Sequence, residues 1–268
     1  MKNKVVIVTG ASSGIGKACA ECFAAQKAIV VLVARSEDKL IQITTELSSS
    51  GAKVLYVVAD LSQQDSCKHL MNTVLEKFGQ IDVLVNNAGI SMRASFMDVD
   101  LSVIRKLMDV NFWSTVYCTK YALESILSNK GSVVGVSSIA GYKGLPGRTG
   151  YSASKFAIHG FLESLRIENL QKGLHVLIAC PGFTASNIRS NALASDGSFQ
   201  GETPRNEEKM MQPEEVASYI VDAVLHRKDR ITLTSMGKLT VFLNKWFPRW
   251  VDRLVFNHMS KEQNAPFL

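Results

Sequence analysis

The feature that most restricts what this chain can fold into is its rhythm. Short, almost continuously apolar β-branched runs alternate with longer amphipathic stretches. Val5–Thr9, Ile29–Ala34, Lys53–Val58, Val83–Val85, Ser132–Ser137 and His175–Ala179 read as strands, with a last one at Ile231–Leu233. Helices are expected near 15–26, 36–49, 63–78 and 101–127, from Tyr151 onward, and over Pro213–Leu225. Strands apolar at successive positions are buried on both faces, and helices between consecutive strands make them parallel. Right-handed crossovers then predict an α/β fold, a doubly wound parallel sheet with helices on both faces. With 268 residues, no repeat and no linker, one domain is expected: a core of about 4–235, then a C-terminal amphipathic helical extension over about 237–268. The segment Ser186–Met211 is polar and poorly periodic, and reads as a flexible surface loop that closes over a ligand.

The first strand runs into Gly10-Ala11-Ser12-Ser13-Gly14-Ile15-Gly16, and a helix begins. Gly10 suits a tight turn, Gly14 lets a pyrophosphate approach the backbone, and Gly16 lets helix and strand pack closely. The helix N-terminus offers free N–H groups and a positive dipole end. In this position the turn predicts nucleotide binding on a Rossmann-like sheet. The second strand ends in Ala34-Arg35-Ser36, where an acidic residue would bind a ribose hydroxyl. Arg35 instead suits a 2′-phosphate, with Ser12, Ser13 and Ser36 as further donors, so NADP(H) is favoured over NAD(H). Asp60-Leu61 follows the third strand, where Asp60 can accept from an adenine amino group. Asn86-Asn87-Ala88-Gly89 follows the fourth, with side-chain amides that either line a ligand crevice or tie strands together.

Tyr151 and Lys155 share a helix face at a spacing of four, where an ammonium would lower the tyrosine pKa toward the operating pH. Ser138 lies just beyond the fifth strand, where an open sheet places its site. Asn111 is a polar residue inside Val110-Asn111-Phe112-Trp113, which marks either a functional amide or a satisfied core one. Together with Pro181-Gly182, these residues carry a resemblance to the short-chain dehydrogenase/reductase family in its compact form, over about residues 4–235. The resemblance implies an oxidoreductase in which Tyr151 exchanges a proton with the substrate oxygen. Lys155 would tune Tyr151 and hold the nicotinamide ribose. Ser138 would polarise the carbonyl, and Asn111 would hold a water that relays protons to Lys155. Pro181, Gly182, Phe183 and Thr184 would border the nicotinamide. Ser186 stands where the family often has Thr and keeps the hydroxyl. The resemblance also implies a homodimer or homotetramer built on the helices near 101–127 and 151–171.

From about Gly237 to Asn257, Leu239, Phe242, Leu243, Trp246, Phe247, Trp250, Val251, Leu254 and Val255 recur at helical spacing. Lys238, Lys245, Arg249 and Arg253 fall largely on the other side, and Pro248 splits the stretch into two short helices. Such a piece either packs on the domain, on a second subunit or over the cleft, or lies on an anionic membrane surface. An apolar lid favours a lipophilic carbonyl or alcohol: a keto lipid of 3-ketosphinganine type first, then a ketosteroid, then a 3-oxoacyl group. The alternative function is a non-catalytic nucleotide-binding or membrane-associated interaction protein on the same fold.

The net charge of +6 is mild and scattered, with no nucleic-acid motif. Five cysteines, an odd count at scattered positions, suggest free thiols in a reducing compartment. Cys19 and Cys22 form an isolated C-x-x-C without a second pair or a neighbouring His, so no metal is expected. Only five residues separate Lys4 from Gly10, too few for a signal-peptide core, and a cytoplasmic protein is expected, possible membrane contact being peripheral.

Overall fold

The computed structural model describes residues 1–201, 203 and 210–268. Seven strands form one parallel sheet: β1 Val5–Thr9, β2 Ile29–Ala34, β3 Lys53–Val58, β4 Val83–Asn86, β5 Ser132–Val136, β6 His175–Cys180 and β7 Arg230–Thr232. Their order is β3-β2-β1-β4-β5-β6-β7, so the chain reverses direction across the sheet between β1 and β4. That switch point opens a crevice at the carboxyl ends of the strands.

Burial on both faces explains the continuous apolar runs. In β1, Val6 and Val8 join one core with Phe23, Leu40 and Ile220. The alternate residues Val5 and Ile7 join another with Leu70, Ile126, Ile158 and Leu162. The first core belongs to helices α1 Gly14–Ala25, α2 Glu37–Ser49 and α7 Pro213–Leu225. The second belongs to α3 Gln64–Phe78, α5 Ser114–Ser128 and α6 Thr149–Glu168. All five cysteines are free thiols, and Cys19 and Cys22 sit on one turn of α1 as small core and half-buried residues.

Two expectations need correction. The stretch expected as one helix over 101–127 is α4 Leu101–Leu107, a π-helical stretch Met108–Trp113 and α5. The widened turn carries Asn111, whose side chain is bonded to the backbone of Ile90 rather than left facing apolar neighbours. The segment expected as a flexible surface loop is in part anchored. Leu193 is buried with Met92, Val99, Val103 and Leu107, and its backbone pairs with Ser91 and Arg93. Apolar Ala192 and Leu193 inside the polar segment supply that anchor. Residues 202 and 204–209 of the segment lie outside the described residues.

The C-terminal extension forms α8 Ser235–Trp246 and α9 Pro248–Met259, divided at Pro248 as its missing N–H requires. Both pack on their own chain beside the turn 142–148. Asn244 donates to the Tyr142 carbonyl at 3.1 Å, and the Lys143 ammonium pairs with Asp252 at 2.5 Å. Beyond α9, Glu262 is buried, and its carboxylate meets Arg148 at 3.1 Å and Arg93 at 3.5 Å.

Candidate active site

The glycine turn after β1 is shaped by backbone requirements. Gly10 has φ +66°, and a Cβ on Gly16 would sit 2.2 Å from the Gly10 carbonyl oxygen, so α1 can only seat this closely on glycine. Ser13 caps α1 without a side-chain hydrogen bond, and the first-turn N–H groups open toward the crevice. Asn87 fastens this turn to the end of β4. Its amide donates to the carbonyls of Thr9 (2.9 Å) and Gly10 (3.3 Å), while the backbone N–H groups of Asn87 and Ala88 donate to the Thr9 hydroxyl. Asn86 is structural, donating to Thr119 at 3.1 Å.

A cleft of about 340 Å³ is lined by Gly10, Ser12, Ser13, Gly14 and Ile15, by Arg35 and Ser36, by Asp60 and Leu61, and by Asn87, Ala88 and Gly89. Gly16 stands behind it in the helix–strand contact. A second cleft of about 130 Å³ is lined by Ser138, Tyr151, Lys155, Pro181, Gly182, Phe183 and Thr184. Ile15, Asn87, Gly89, Ser186 and Ile188 line both, so the two are halves of one crevice along the strand ends. The structure thus brings together on one crevice the site candidates singled out from the sequence except Gly16, Asn86 and Asn111, which do not line it.

Tyr151 and Lys155 face the crevice from the first turns of α6, with the Lys155 Nζ 5.6 Å from the Tyr151 ring centre. Lys155 is buried and donates to the Val136 carbonyl at 2.9 Å. Burial pushes its pKa down to about 8, with the Cys180 thiol nearby opposing the change. The expected lowering of Tyr151 is not the net result. Burial is the largest influence and raises its pKa, while the Ser138 hydrogen bond, Arg148 and Arg189 pull it down. Ser138 itself accepts from the Ala140 N–H at 3.1 Å, which fixes the hydroxyl at the end of β5.

Asn111 is fully buried and well satisfied. Its Nδ2 donates to the Ile90 carbonyl (3.0 Å) and the Ser154 hydroxyl (2.9 Å), and its Oδ1 accepts from the Ile90 N–H (2.8 Å). A Cβ on Gly89 would lie 3.2 Å from this amide oxygen and 3.6 Å from the Lys155 Nζ, so Asn111 backs Lys155 rather than lining the crevice. Of the two readings of Asn111, the structure shows a satisfied buried amide, placed beside Lys155.

Three cations were missed from the sequence. Lys39 lines the first cleft, one helical turn after Arg35, a spacing that was available to be read. Arg148 and Arg189 line the second. Arg148 stands three residues before Tyr151, outside the helix, and Arg189 lies in the aperiodic segment, so neither had a local signal.

A family model described as short chain dehydrogenase matches residues 4–196. Dehydrogenase/reductase SDR family member 7B of Rattus norvegicus is 35% identical over 273 residues, covering 99% of this chain and 84% of that protein. Among solved structures, an alcohol dehydrogenase from Thermococcus sibiricus complexed with 5-hydroxy-NADP is 27% identical with TM-score 0.77, over 88% of this chain and 98% of that one. A short chain dehydrogenase/reductase from Burkholderia phymatum in complex with NAD shares the fold at TM-score 0.83 and 22% identity, over 93% of this chain and 95% of that one.

Proposed function

The chain belongs to the short-chain dehydrogenase family, and from that premise we propose that it is an NADP(H)-dependent reductase of a lipophilic carbonyl compound. The observation that carries this reading is the single crevice that joins the glycine turn and Arg35 at one end to Ser138, Tyr151 and Lys155 at the other. The residues fit a dinucleotide. Gly10 and Gly16 let the turn, α1 and the end of β4 pack more closely than a Cβ would allow, and the N–H groups this leaves at the start of α1 suit a pyrophosphate. Arg35 and Lys39 stand together at the far end, where a 2′-phosphate would find two cations and Ser36. A bound nicotinamide supplies the hydride for reduction or accepts it in oxidation.

The chain's own groups manage the oxygen. Tyr151, held protonated near neutrality by burial, donates its proton to the substrate oxygen as charge develops there. Ser138 donates a second hydrogen bond to the same oxygen and steadies the phenolate that results. Arg148, Arg189 and Lys155 place positive charge around that phenolate. Asn111 holds the backbone at Ile90 and the Ser154 side chain beside Lys155, and there it would support the proton relay. Leu145, Pro181, Phe183 and Ile188 give the pocket apolar walls, which supports a keto lipid or ketosteroid over a small polar ketone. Exposed Trp113 and Phe156, on the two helical regions through which the family forms dimers and tetramers, support a homo-oligomer.

Two measurements test this. NADPH and NADH affinities are compared for the wild type and Arg35→Ala. A strong NADPH preference that the variant loses supports the reading, and equal affinities refute it. Tyr151→Phe is expected to lower turnover by roughly 10²–10⁴-fold with nucleotide binding intact. Turnover retained in that variant would remove Tyr151 from the proton-donating role.

A further inference from the structure

The outward face of the two C-terminal helices is apolar, which is the reverse of what solvent favours. In α8, Gly237 and Asn244 face the protein: a Cβ on Gly237 would touch Ile139 at 2.8 Å, and Asn244 is bonded to Tyr142. The opposite side of the helix carries Leu239, Phe242 and Trp246, at positions i, i+3 and i+7. In α9, Val251 and Met259 are buried, while Trp250 and Leu254 point away from them. With Phe247 at the corner, these six side chains form one ridge, each between 43% and 63% exposed. Two of the chain's three tryptophans lie in it.

The ridge has a charged border. Lys238 and Lys245 are two turns of α8 apart on its flank, and Arg249 and Arg253 are one turn of α9 apart beside Trp250 and Leu254. The basic residues therefore edge the apolar stripe and do not lie opposite it, as the sequence reading had them. The acidic residue of these helices, Asp252, is exposed, and its charge is matched by an ion pair with Lys143 of the domain. No helix among the described residues is long and apolar enough to cross a membrane.

We propose that the ridge Leu239–Phe242–Trp246–Phe247–Trp250–Leu254, with its border of Lys238, Lys245, Arg249 and Arg253, docks the protein onto an anionic lipid bilayer surface. Apolar side chains with tryptophans among them enter the boundary between headgroups and acyl chains, and the basic border meets anionic headgroups. Charge selects this occupant over a second copy of the chain. Two ridges brought face to face would set the four basic side chains of each against those of the other, whereas an anionic surface complements them. The position also suits the function proposed above, on which this clause rests. Arg253 borders a groove of about 450 Å³ with Gly144, Pro146, Val255 and Phe256, and Leu145 of the same turn lines the catalytic cleft. A lipid-dissolved carbonyl would thus meet the enzyme beside its own pocket.

The test is flotation of the full-length protein with phosphatidylcholine vesicles, with and without phosphatidylserine, together with tryptophan emission. Binding is expected on the serine-containing vesicles only, weakening with salt, with emission shifted to shorter wavelength. Partitioning is expected to fall about fivefold per basic charge removed, roughly 25-fold for K238Q/K245Q. W246A/W250A is expected to abolish both binding and the emission shift. These residues are exposed, so the thermal midpoint of each variant stays at the wild-type value and separates lost docking from lost folding. Absence of binding to either vesicle overturns the proposal, as does dimerisation in solution that W246A/W250A abolishes. Neither readout depends on turnover, so a failure here leaves the reductase reading standing, and a failed reductase assay leaves this one standing.

Discussion

Placing Lys155 inside the protein beside Tyr151 has a stability cost that its pKa sets. The ordinary value for lysine, 10.5, is pushed down to about 8, with burial as the main cause. Between about 8 and 10.5 the unfolded chain holds a proton at this site that the folded chain has released. The unfolding free energy therefore rises with pH there, by about 1.4 kcal/mol per pH unit. Below that window both states are charged and the full penalty applies, about 3 kcal/mol over the whole gap. Above it neither state is charged and the penalty is gone. Lys155→Met removes the titration while keeping most of the side-chain volume. It also strips the Val136 carbonyl of its 2.9 Å partner, which costs about 1–3 kcal/mol independently of pH. The two effects nearly cancel at neutrality, so stability at one pH decides nothing, and the change with pH decides everything. Urea unfolding of wild type and K155M, run from about pH 7 to about pH 10.5, is expected to show wild type gaining about 3 kcal/mol on the variant. Groups common to both proteins cancel in this comparison. Parallel stability curves would refute the argument that burial, rather than catalysis-specific contacts, sets the state of this lysine.

Two further outcomes follow from buried groups. Removing the Glu262 carboxylate takes a partner from the buried Arg93 and Arg148, so Glu262→Ala is expected to lower unfolding free energy by about 3–5 kcal/mol; a loss below about 1 kcal/mol in denaturant unfolding would show that the C-terminal tail does not hold the turn at Arg148. His159, bonded to Ser137 at 2.7 Å, is held neutral, its pKa pushed from 6.5 down to about 4 by burial and then by Arg230. Because the unfolded chain takes up a proton first, stability is lost as pH falls from 6.5 toward 4. His159→Gln is expected to flatten that part of the stability profile, and an unchanged slope would count against this assignment.

Much of the molecule was legible because its signals are local. A buried parallel strand shows as a continuous apolar run, and a phosphate turn needs glycines at set positions between a strand and a helix. Tyr151 and Lys155 share a face at any i, i+4 spacing, and Pro248 divides a helix wherever it stands. These depend on backbone geometry within a few residues, so strands, helices and most of the crevice could be placed without coordinates. Other features are set by contacts between residues distant in the chain, which carry no period. The π-helical turn at Asn111 exists to meet the Ile90 backbone, 21 residues earlier. Arg148 enters the pocket wall with Glu262 behind it, 114 residues later. The direction of the Tyr151 pKa depends on how deeply the folded chain buries it, which outweighs the charges nearby. Periodicity identified α8 and α9 as amphipathic, but only packing against Tyr142, Ile139 and Lys143 determined that an apolar face looks outward. A sequence specifies which residues can share a face, and the tertiary fold decides which face is covered, because burial is a property of what packs against a helix and not of the helix alone.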